Sequence, residues 1–436
     1  MKTNYLPIAV IGAGPIGLAA AAHIVNRKAR PLVFEVSDSI AGNVKSWGHV
    51  TMFSQWKLNI DKVSQNILEK NGWQAPEGET IPTGNDLVEQ YLRPLSQTNE
   101  LQSHIKLGAK VVAISRQRIN KSKDAHRDRA PFIIRVLENG KLNSYKARAV
   151  IDASGTWSNP NPMGSDGLFA VGEKEHRSHI FYGIPNVLGV HKKRYQSKEV
   201  AVVGSGHSAI NTILDLVDLK HEFPSVKIKW LLRKKSITDI YGGLDNDELP
   251  GRGRLGHKIK AIVESNYIEV ITPFFIDEIM RSKNKLMIKG ISDSHNNFVS
   301  TDEIIVSTGL RPDIQLFREL RISLDAALES PIRLAPLINP NIHSCGTVAP
   351  HGATELQHPE KDFYVVGMKS YGRAPTFLLT TGYEQVRSVV AAIEGDWKSA
   401  KEVHLELPKT GVCGVAKSIN PNGFDKEKND INVPCC

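Results

Sequence analysis

Residues 7–36 read PIAVIGAGPIGLAAAAHIVNRKARPLVFEV. PIAVI is short and apolar, GAGPIG is a glycine turn, LAAAAHIV has helical composition, and PLVFEV is apolar again, so the stretch predicts strand, turn, helix, strand. Within it, Gly12-x-Gly14-x-x-Gly17 sits where a strand passes into a helix. The first glycine permits a tight turn, the second lets backbone approach a pyrophosphate, and the third lets the helix pack closely. The helix N-terminus adds N–H donors and a partial positive charge, with Pro15 at its first turn. Glu35 ends the second strand, 18 residues beyond Gly17. A carboxylate there accepts hydrogen bonds from both ribose hydroxyls of an adenosine.

The pattern recurs once. KEVAVVGSGHSAINTILDLV (198–217) leads to KIKWLLRK (227–234), carrying Gly204-x-Gly206-x-x-Ala209. Here the second strand runs into Arg233, Lys234 and Lys235 instead of an acid. A carboxylate would repel a 2′-phosphate, whereas these cations pair with one. Each motif is followed by a strand that returns through its sheet, ARAVIDASGTW (147–157) and DEIIVSTGLRPD (302–313). The expected fold class is therefore α/β with two Rossmann-like dinucleotide-binding domains. One is marked for the adenosine diol of FAD and the other for NADPH. Between them, AKVVAIS (109–115) and PFIIRVL (131–137) read as strands joined by RQRINKSKDAHRDRA (116–130), a solvated hairpin loop in preference to an anion site.

A chain of 436 residues suits two or three domains. Its 55 lysines and arginines against 46 acids give a net charge of +9, which raises the question of an anionic partner. Residues 191–260 hold 14 of these cations against 8 acids, so the surplus gathers around the second motif and favours a phosphorylated dinucleotide over nucleic acid. No stretch of 18 apolar residues and no cleavage pattern occur, and the expectation is a cytoplasmic protein with no membrane partner. Four cysteines, Cys345, Cys413, Cys435 and Cys436, do not form a disulfide framework. Cys345 lies near His343, His351 and His358, but the spacing fits no standard zinc pattern and no metal is expected.

Over nearly its whole length the chain resembles flavoproteins with two dinucleotide-binding domains, such as flavin-containing monooxygenases, ornithine hydroxylases and thioredoxin reductases. The resemblance is carried by GAGPIG, LVFE, DASGTW, GSGHSA, STGLRP and DFYVVGMKSYG followed by TGYEQV. More narrowly, WGHVTMFSQWKLNID (47–61), IDASGTWSNPNP (151–162), NIHSCGTVAPHGATEL (341–356) and GMKSYGRAPTFLL (367–379) are similar to flavin monooxygenases encoded in arsenic-resistance gene neighbourhoods. The resemblance implies a discontinuous FAD domain, 1–163 and 322–407, with an NADPH domain inserted at 164–321 and a flexible Cys-containing tail at 408–436. It extends the cofactor-binding set to Gly42, Ser154, Gly155, Ser205, Ser208, Thr308, Gly309 and Gly367. It also implies a helix 382–394 whose N-terminus, near Thr381 and Gly382, points at the isoalloxazine and stabilises its reduced anion. His49, Gln55, Trp56 and Asn59 fall where the relatives place residues over the flavin, and packing beneath the cofactor is an equal reading for His49 and Trp56.

Two departures bear on activity. The chain has no CxxC, so the dithiol relay of thioredoxin reductases is excluded. The monooxygenase fingerprint Phe-x-Gly-x-x-x-His is approximated by Phe169, Gly172 and His176, with one residue too many before the glycine. The expected activity is an NADPH-dependent FAD monooxygenase that forms a flavin 4a-hydroperoxide and oxygenates a small soft nucleophile: sulfur, nitrogen or a trivalent arsenical. The alternative is an NADPH-dependent reductase of a thiol, disulfide or metal acceptor. It would work through Cys435 and Cys436, a vicinal pair resembling that of mercuric reductases, with soft thiolate ligands. A homodimer is compatible with either. If Arg233 holds the 2′-phosphate, Arg233→Ala raises KM for NADPH roughly tenfold to a hundredfold, the value of one charged hydrogen bond, and leaves KM for NADH nearly unchanged. Equal changes in steady-state kinetics would remove Arg233 from that role.

Overall fold

The computed structural model describes residues 5–247, 249–342, 350–374 and 378–405. The four cysteines and the expected tail lie outside the described residues. Two compact units form, the first from residues 5–159, 311–339 and 350–405 and the second from 160–310 and 340–342. Both are α/β, and the first is interrupted in sequence by the second.

The first unit opens with β1 (Ile8–Ile11), α1 (Pro15–Asn26) and β2 (Pro31–Phe34). All four residues of β1 are buried. Ile8 and Val10 join the core on the α1 side, while Ala9 and Ile11 join the core on the opposite face. That two-sided burial explains why the strand reads as a continuous apolar run. On α1, Ala19 to Ala22 are fully buried, so short side chains set a close helix-to-sheet distance. Next come α2 (Lys62–Lys70), β3 (Ile105–Lys106), β4 (Ala109–Arg116), β5 (Phe132–Glu138), β6 (Lys141–Ala147) and β7 (Ala149–Asp152). β4, β5 and β6 form an antiparallel sheet. The sequence reading missed β6 because its outward residues are polar and exposed.

The second unit contributes β8 (Ile180–Tyr182), β9 (Glu199–Val203), α3 (His207–Glu222), β10 (Lys227–Leu231) and β11 (Glu269–Ile271). An antiparallel sheet of β12 (Phe275–Ser282), β13 (Lys285–Ser292) and β14 (His295–Thr301) follows, then β15 (Glu303–Val306). Its parallel sheet has the order β11-β10-β9-β15-β8. The chain then returns to the first unit with β16 (Phe363–Val365) and α4 (Leu379–Ile393), completing a parallel sheet of order β16-β7-β1-β2-β3. The predicted returning strands are β7, paired with β1, and β15, paired with β9. Among the described residues no helix is long and apolar enough to cross a membrane.

The polar stretch 116–130 does join two antiparallel neighbours, but it is not simply solvated. Arg116 and Arg127 are each only 3% exposed and turn inward onto the buried Glu360. Glu360 Oε1 accepts from Arg116 Nε at 2.7 Å, and its Oε2 accepts from Arg127 Nη2 at 2.6 Å and from the Arg321 amide at 2.9 Å. Burial works against ionisation of this carboxyl, yet the two guanidinium groups hold it below its ordinary range. Arg116 also lies 3.7 Å over the ring of Phe132. Removing one charge from such a cluster strands the others. Glu360→Gln is therefore expected to lower unfolding free energy by about 3–5 kcal/mol in chemical denaturation. A loss below about 1 kcal/mol would mean the cluster is solvated.

Candidate functional site

In the first unit the three motif glycines have different physical reasons. Gly12 has φ +96°, and a Cβ there would lie 2.8 Å from the carbonyl oxygen of Ala153. At Gly17 a Cβ would lie 1.9 Å from the oxygen of Gly12. Both are glycine because the protein's own backbone passes too close. Gly14 has φ −80° and none of the described residues within 4 Å of its missing Cβ, so neither its conformation nor packing against them requires glycine there. It caps α1 without a side-chain hydrogen bond, and Pro15 occupies the first turn. A cradle of this kind, at an uncapped helix N-terminus, fits a pyrophosphate.

Glu35, just past β2, is buried and reaches back to the turn. Its Oε2 accepts from the Ala13 amide at 2.7 Å and its Oε1 from the Ser37 amide at 3.0 Å. A carboxylate has about four acceptor positions, so two remain for a ribose diol. Gly42 is explained locally: a Cβ would meet Ser37 Oγ at 2.1 Å. Ser154 and Gly155 come after β7, and Gly155, at φ +70°, again has open space at its Cβ position. Gly367 comes after β16 at φ +70°, with a Cβ site 3.1 Å from Ile16 of α1. α4 starts at Leu379, earlier than the expected 382. Thr381 and Gly382 thus lie within its first turn, and both amides donate to the Leu378 carbonyl.

The run from Trp47 to Asn59 packs against the same unit. Trp56 is buried in the core on the α1 side, and the Trp47 ring lies 6.3 Å from that of Trp157. Gln55 is half-buried and donates to the Glu79 carboxylate at 2.8 Å. His49 is also half-buried. Asn59 is fully buried and committed to the loop: its Oδ1 accepts from Ser54 Oγ at 2.7 Å and its Nδ2 donates to the Ser54 carbonyl at 2.9 Å. Its own carbonyl accepts from Tyr383 of α4 at 2.8 Å. Burial, then Tyr91 and Asp61, hold the Tyr383 phenol well above its ordinary pKa, so it remains a donor. Asp61 caps α2 and bonds His23 of α1 at 3.0 Å. Burial opposes its ionisation, but His23 and Ser64 outweigh it and hold the carboxyl low.

Sequence reasoning gave no role to Lys369 or Gln385 and weighed His351 only as a metal ligand. Lys369 Nζ donates to Asp152 Oδ2 at 2.7 Å and to Ser154 Oγ at 3.1 Å. Gln385 Oε1 accepts from the Gly367 amide at 2.7 Å, while its Nε2 lies 3.0 Å from Ser370 Oγ and 2.9 Å from His351 Nε2. These polar groups stand inside apolar surroundings, which periodicity does not flag.

The second unit repeats the turn with one change. Gly204 has φ +124°, and a Cβ would meet the Ser307 carbonyl at 2.3 Å. Gly206 caps α3 without a side-chain bond at φ −83°, with none of the described residues within 4 Å of its Cβ position. Ser205 and Ser208 flank it, and Ala209 is fully buried, so this helix accommodates a methyl group where α1 does not. His207 opens α3; burial, then Arg252, push its imidazole down to about 4, leaving it neutral. Thr308 and Gly309 are pinned by Asn161, whose Nδ2 donates to the Thr308 carbonyl at 3.1 Å. Arg233 is exposed after β10 and donates to the Ser165 carbonyl at 3.1 Å, with Lys234 half-buried beside it. Gly172, in the approximate fingerprint, has its Cβ position 2.1 Å from the Ile279 carbonyl, so backbone packing alone accounts for it.

The basic surplus of residues 191–260 is divided. Lys192 pairs with Glu222, Arg194 with Glu303, and Lys227 and Lys229 with Glu199. Lys227, Lys229 and Glu199 lie where β9 and β10 begin, the edge opposite the glycine turn. Arg233, Lys234 and Lys235 lie just beyond the other end of β10.

Two parallel sheets, each with a glycine turn leading into an uncapped helix, define a dinucleotide-dependent oxidoreductase. Residues 9–333 match the family described as pyridine nucleotide-disulphide oxidoreductase, and the chain belongs to that family. It is 22% identical over 348 residues to a ferredoxin–NADP reductase of Lactobacillus gasseri, covering 78% of this chain and 85% of that protein. Among solved structures, the bacillithiol disulfide reductase of Bacillus cereus is similar with TM-score 0.63 and 18% identity, covering 89% of this chain and 99% of that one. An FAD-bound cadaverine monooxygenase of desferrioxamine biosynthesis from Erwinia amylovora has TM-score 0.63 and 12% identity, covering 97% and 99%. At these identities the structural likeness concerns the fold.

The glycine geometry separates two kinds of variant. Gly14→Ala and Gly206→Ala should leave the melting temperature near wild type while weakening the dinucleotide at each turn roughly tenfold or more by titration calorimetry. Gly17→Ala should instead destabilise the fold by about 1–3 kcal/mol through overpacking. Wild-type dinucleotide affinity in Gly14→Ala and Gly206→Ala would mean that neither open cradle is occupied.

Proposed function

We propose that this oxidoreductase is an NADPH-dependent FAD monooxygenase acting on a small soft nucleophile, a sulfur, a nitrogen or a trivalent arsenical. The observation that carries the cofactor assignment is a contrast between two matched turns, in the charge of the residues just past the second strand of each. The first has a buried acid, Glu35, bonded to its own glycine loop; the second has the exposed Arg233. FAD is held in the first unit by the Gly12–Gly17 turn, Glu35, Ser154, Gly155, Gly367 and the first turn of α4. NADPH is held in the second by Gly204, Ser205, Gly206, Ser208, Thr308, Gly309 and the Arg233–Lys234 pair.

When bound, FAD accepts hydride from NADPH and activates oxygen, and the chain supplies orientation and exclusion of water. The uncapped first turn of α4 offers a partial positive charge that favours an anionic ring system. His49 and Gln55, both half-buried, are the substrate-side groups, Trp56 takes the packing role in the core, and Asn59, tied to Ser54 and Tyr383, fixes the loop that presents them. One substrate molecule, one NADPH, one proton and one oxygen molecule would give the oxygenated substrate, NADP+ and water.

The absence of CxxC disfavours an internal dithiol relay, while the vicinal Cys435 and Cys436 and the family's disulfide reductases support the reductase reading as the alternative. The two are separated by incubating the flavin-loaded protein with NADPH, labelled oxygen gas and a panel of thioether, amine and arsenite substrates. An oxygenase transfers label to one product and consumes NADPH, oxygen and substrate in equal amounts. No transfer of label, with NADPH consumed in equal amount to a disulfide added as acceptor and that consumption lost in the Cys435→Ser, Cys436→Ser double variant, would establish the reductase instead.

A further inference from the structure

We infer that Lys369 is a positioning residue for the first dinucleotide site, acting through Asp152 and Ser154; this rests on the assignment of FAD to that site. Lys369 and Asp152 are both buried, their side chains 2% and 0% exposed. Taking an ammonium out of water is costly unless it is paired and hydrogen-bonded, so its partners indicate what the charge is kept for. Packing alone needs no charge at this position. Instead, Nζ donates to Asp152 Oδ2 and Ser154 Oγ and lies 4.7 Å from the ring centre of Phe317.

The bonds form a closed ring. Asp152 Oδ1 accepts the Ser154 amide at 2.9 Å, its Oδ2 accepts Lys369, and Lys369 returns to the Ser154 hydroxyl. Both the main chain and the side chain of Ser154 are thereby held at the start of the turn whose next residue, Gly155, is left-handed with open space at its Cβ position. Lys369 is itself fixed from behind. It lies in the single helical turn Gly367–Tyr371, whose Gly367 amide is taken by Gln385 and whose Gly367 carbonyl accepts Ser370 Oγ at 2.7 Å. The ammonium therefore couples the turns at the C-terminal ends of two adjacent strands, β7 and β16. Ligands of open parallel sheets bind just outside those ends. Lys369 is placed to set the shape of the cradle without being a ligand of it.

The test measures FAD affinity of the apoprotein by quenching of flavin fluorescence, with NADP+ affinity by calorimetry and thermal melting as parallel readouts. Lys369→Met is expected to weaken FAD binding roughly tenfold to a hundredfold, the loss of a charged hydrogen bond, while NADP+ affinity stays within about twofold. The double variant Asp152→Asn, Lys369→Met, which removes the stranded charge, should regain the wild-type melting temperature without regaining FAD affinity. Ser154→Ala, at a half-buried position, should lose FAD affinity about threefold to tenfold and keep its fold, and it serves if Lys369→Met does not fold. Wild-type FAD affinity in Lys369→Met or Ser154→Ala, or recovery of affinity together with stability in the double variant, overturns the inference. If the wild-type apoprotein takes up no FAD at all, the cofactor assignment fails and this role fails with it.

Discussion

The site in the first unit depends on a steric constraint: the first turn of α1 leaves no room for a side chain against the loop that follows β1. A methyl group on Gly17 would overlap the Gly12 carbonyl, and one on Gly12 would press on the carbonyl of Ala153 at the end of the neighbouring strand. With both absent, the buried alanines of α1 lie against the sheet, and the start of the helix comes to rest over the strand ends. Glu35 can then reach the Ala13 amide, and Gly14 is left open. The second unit keeps the strand-end contact, Gly204 against Ser307, but relaxes the helix contact by accepting Ala209.

Much of this was legible from local pattern. Short apolar runs were read as strands, and β1 and β9 split alternate residues between two cores, as strands of a sheet covered on both faces do. The glycine turns, the acid at 35 and the returning strands were read from short-range spacing, which the turn geometry itself dictates. What escaped was long-range polar pairing. Lys369 and Asp152 are 217 residues apart, and Arg127 and Glu360 are 233 apart. Nothing in a run such as RQRINKSKDAHRDRA says that two of its arginines turn inward. The helix start at 382 came from the resemblance and not from the local pattern, and α4 begins earlier, at Leu379; β6 was hidden by its polar outward face.

The net charge was legible as a number but not as a location. Concentration of cations around the second motif suggested an anionic ligand, yet Lys192, Arg194, Lys227 and Lys229 are occupied by Glu222, Glu303 and Glu199. Lys227 and Lys229 lie toward the starting ends of the strands, remote from the glycine turn, where they answer Glu199. The case for NADPH therefore narrows to the few cations just past β10, of which Arg233 is exposed and bonded to a backbone carbonyl. Hydrogen bonds at that range decide between nucleotides, whereas diffuse surface charge is screened within about 10 Å.

The proposed function gives the two turns two jobs, one retaining a flavin and the other presenting its reductant. The most direct measurement is an anaerobic titration of the flavin-loaded protein, with the visible absorbance of the oxidised flavin as the signal. With the roles divided in this way, one equivalent of NADPH abolishes that absorbance, and NADH at the same concentration does so far more slowly. Failure of NADPH to reduce the flavin, or equal rates with the two nucleotides, would contradict the division.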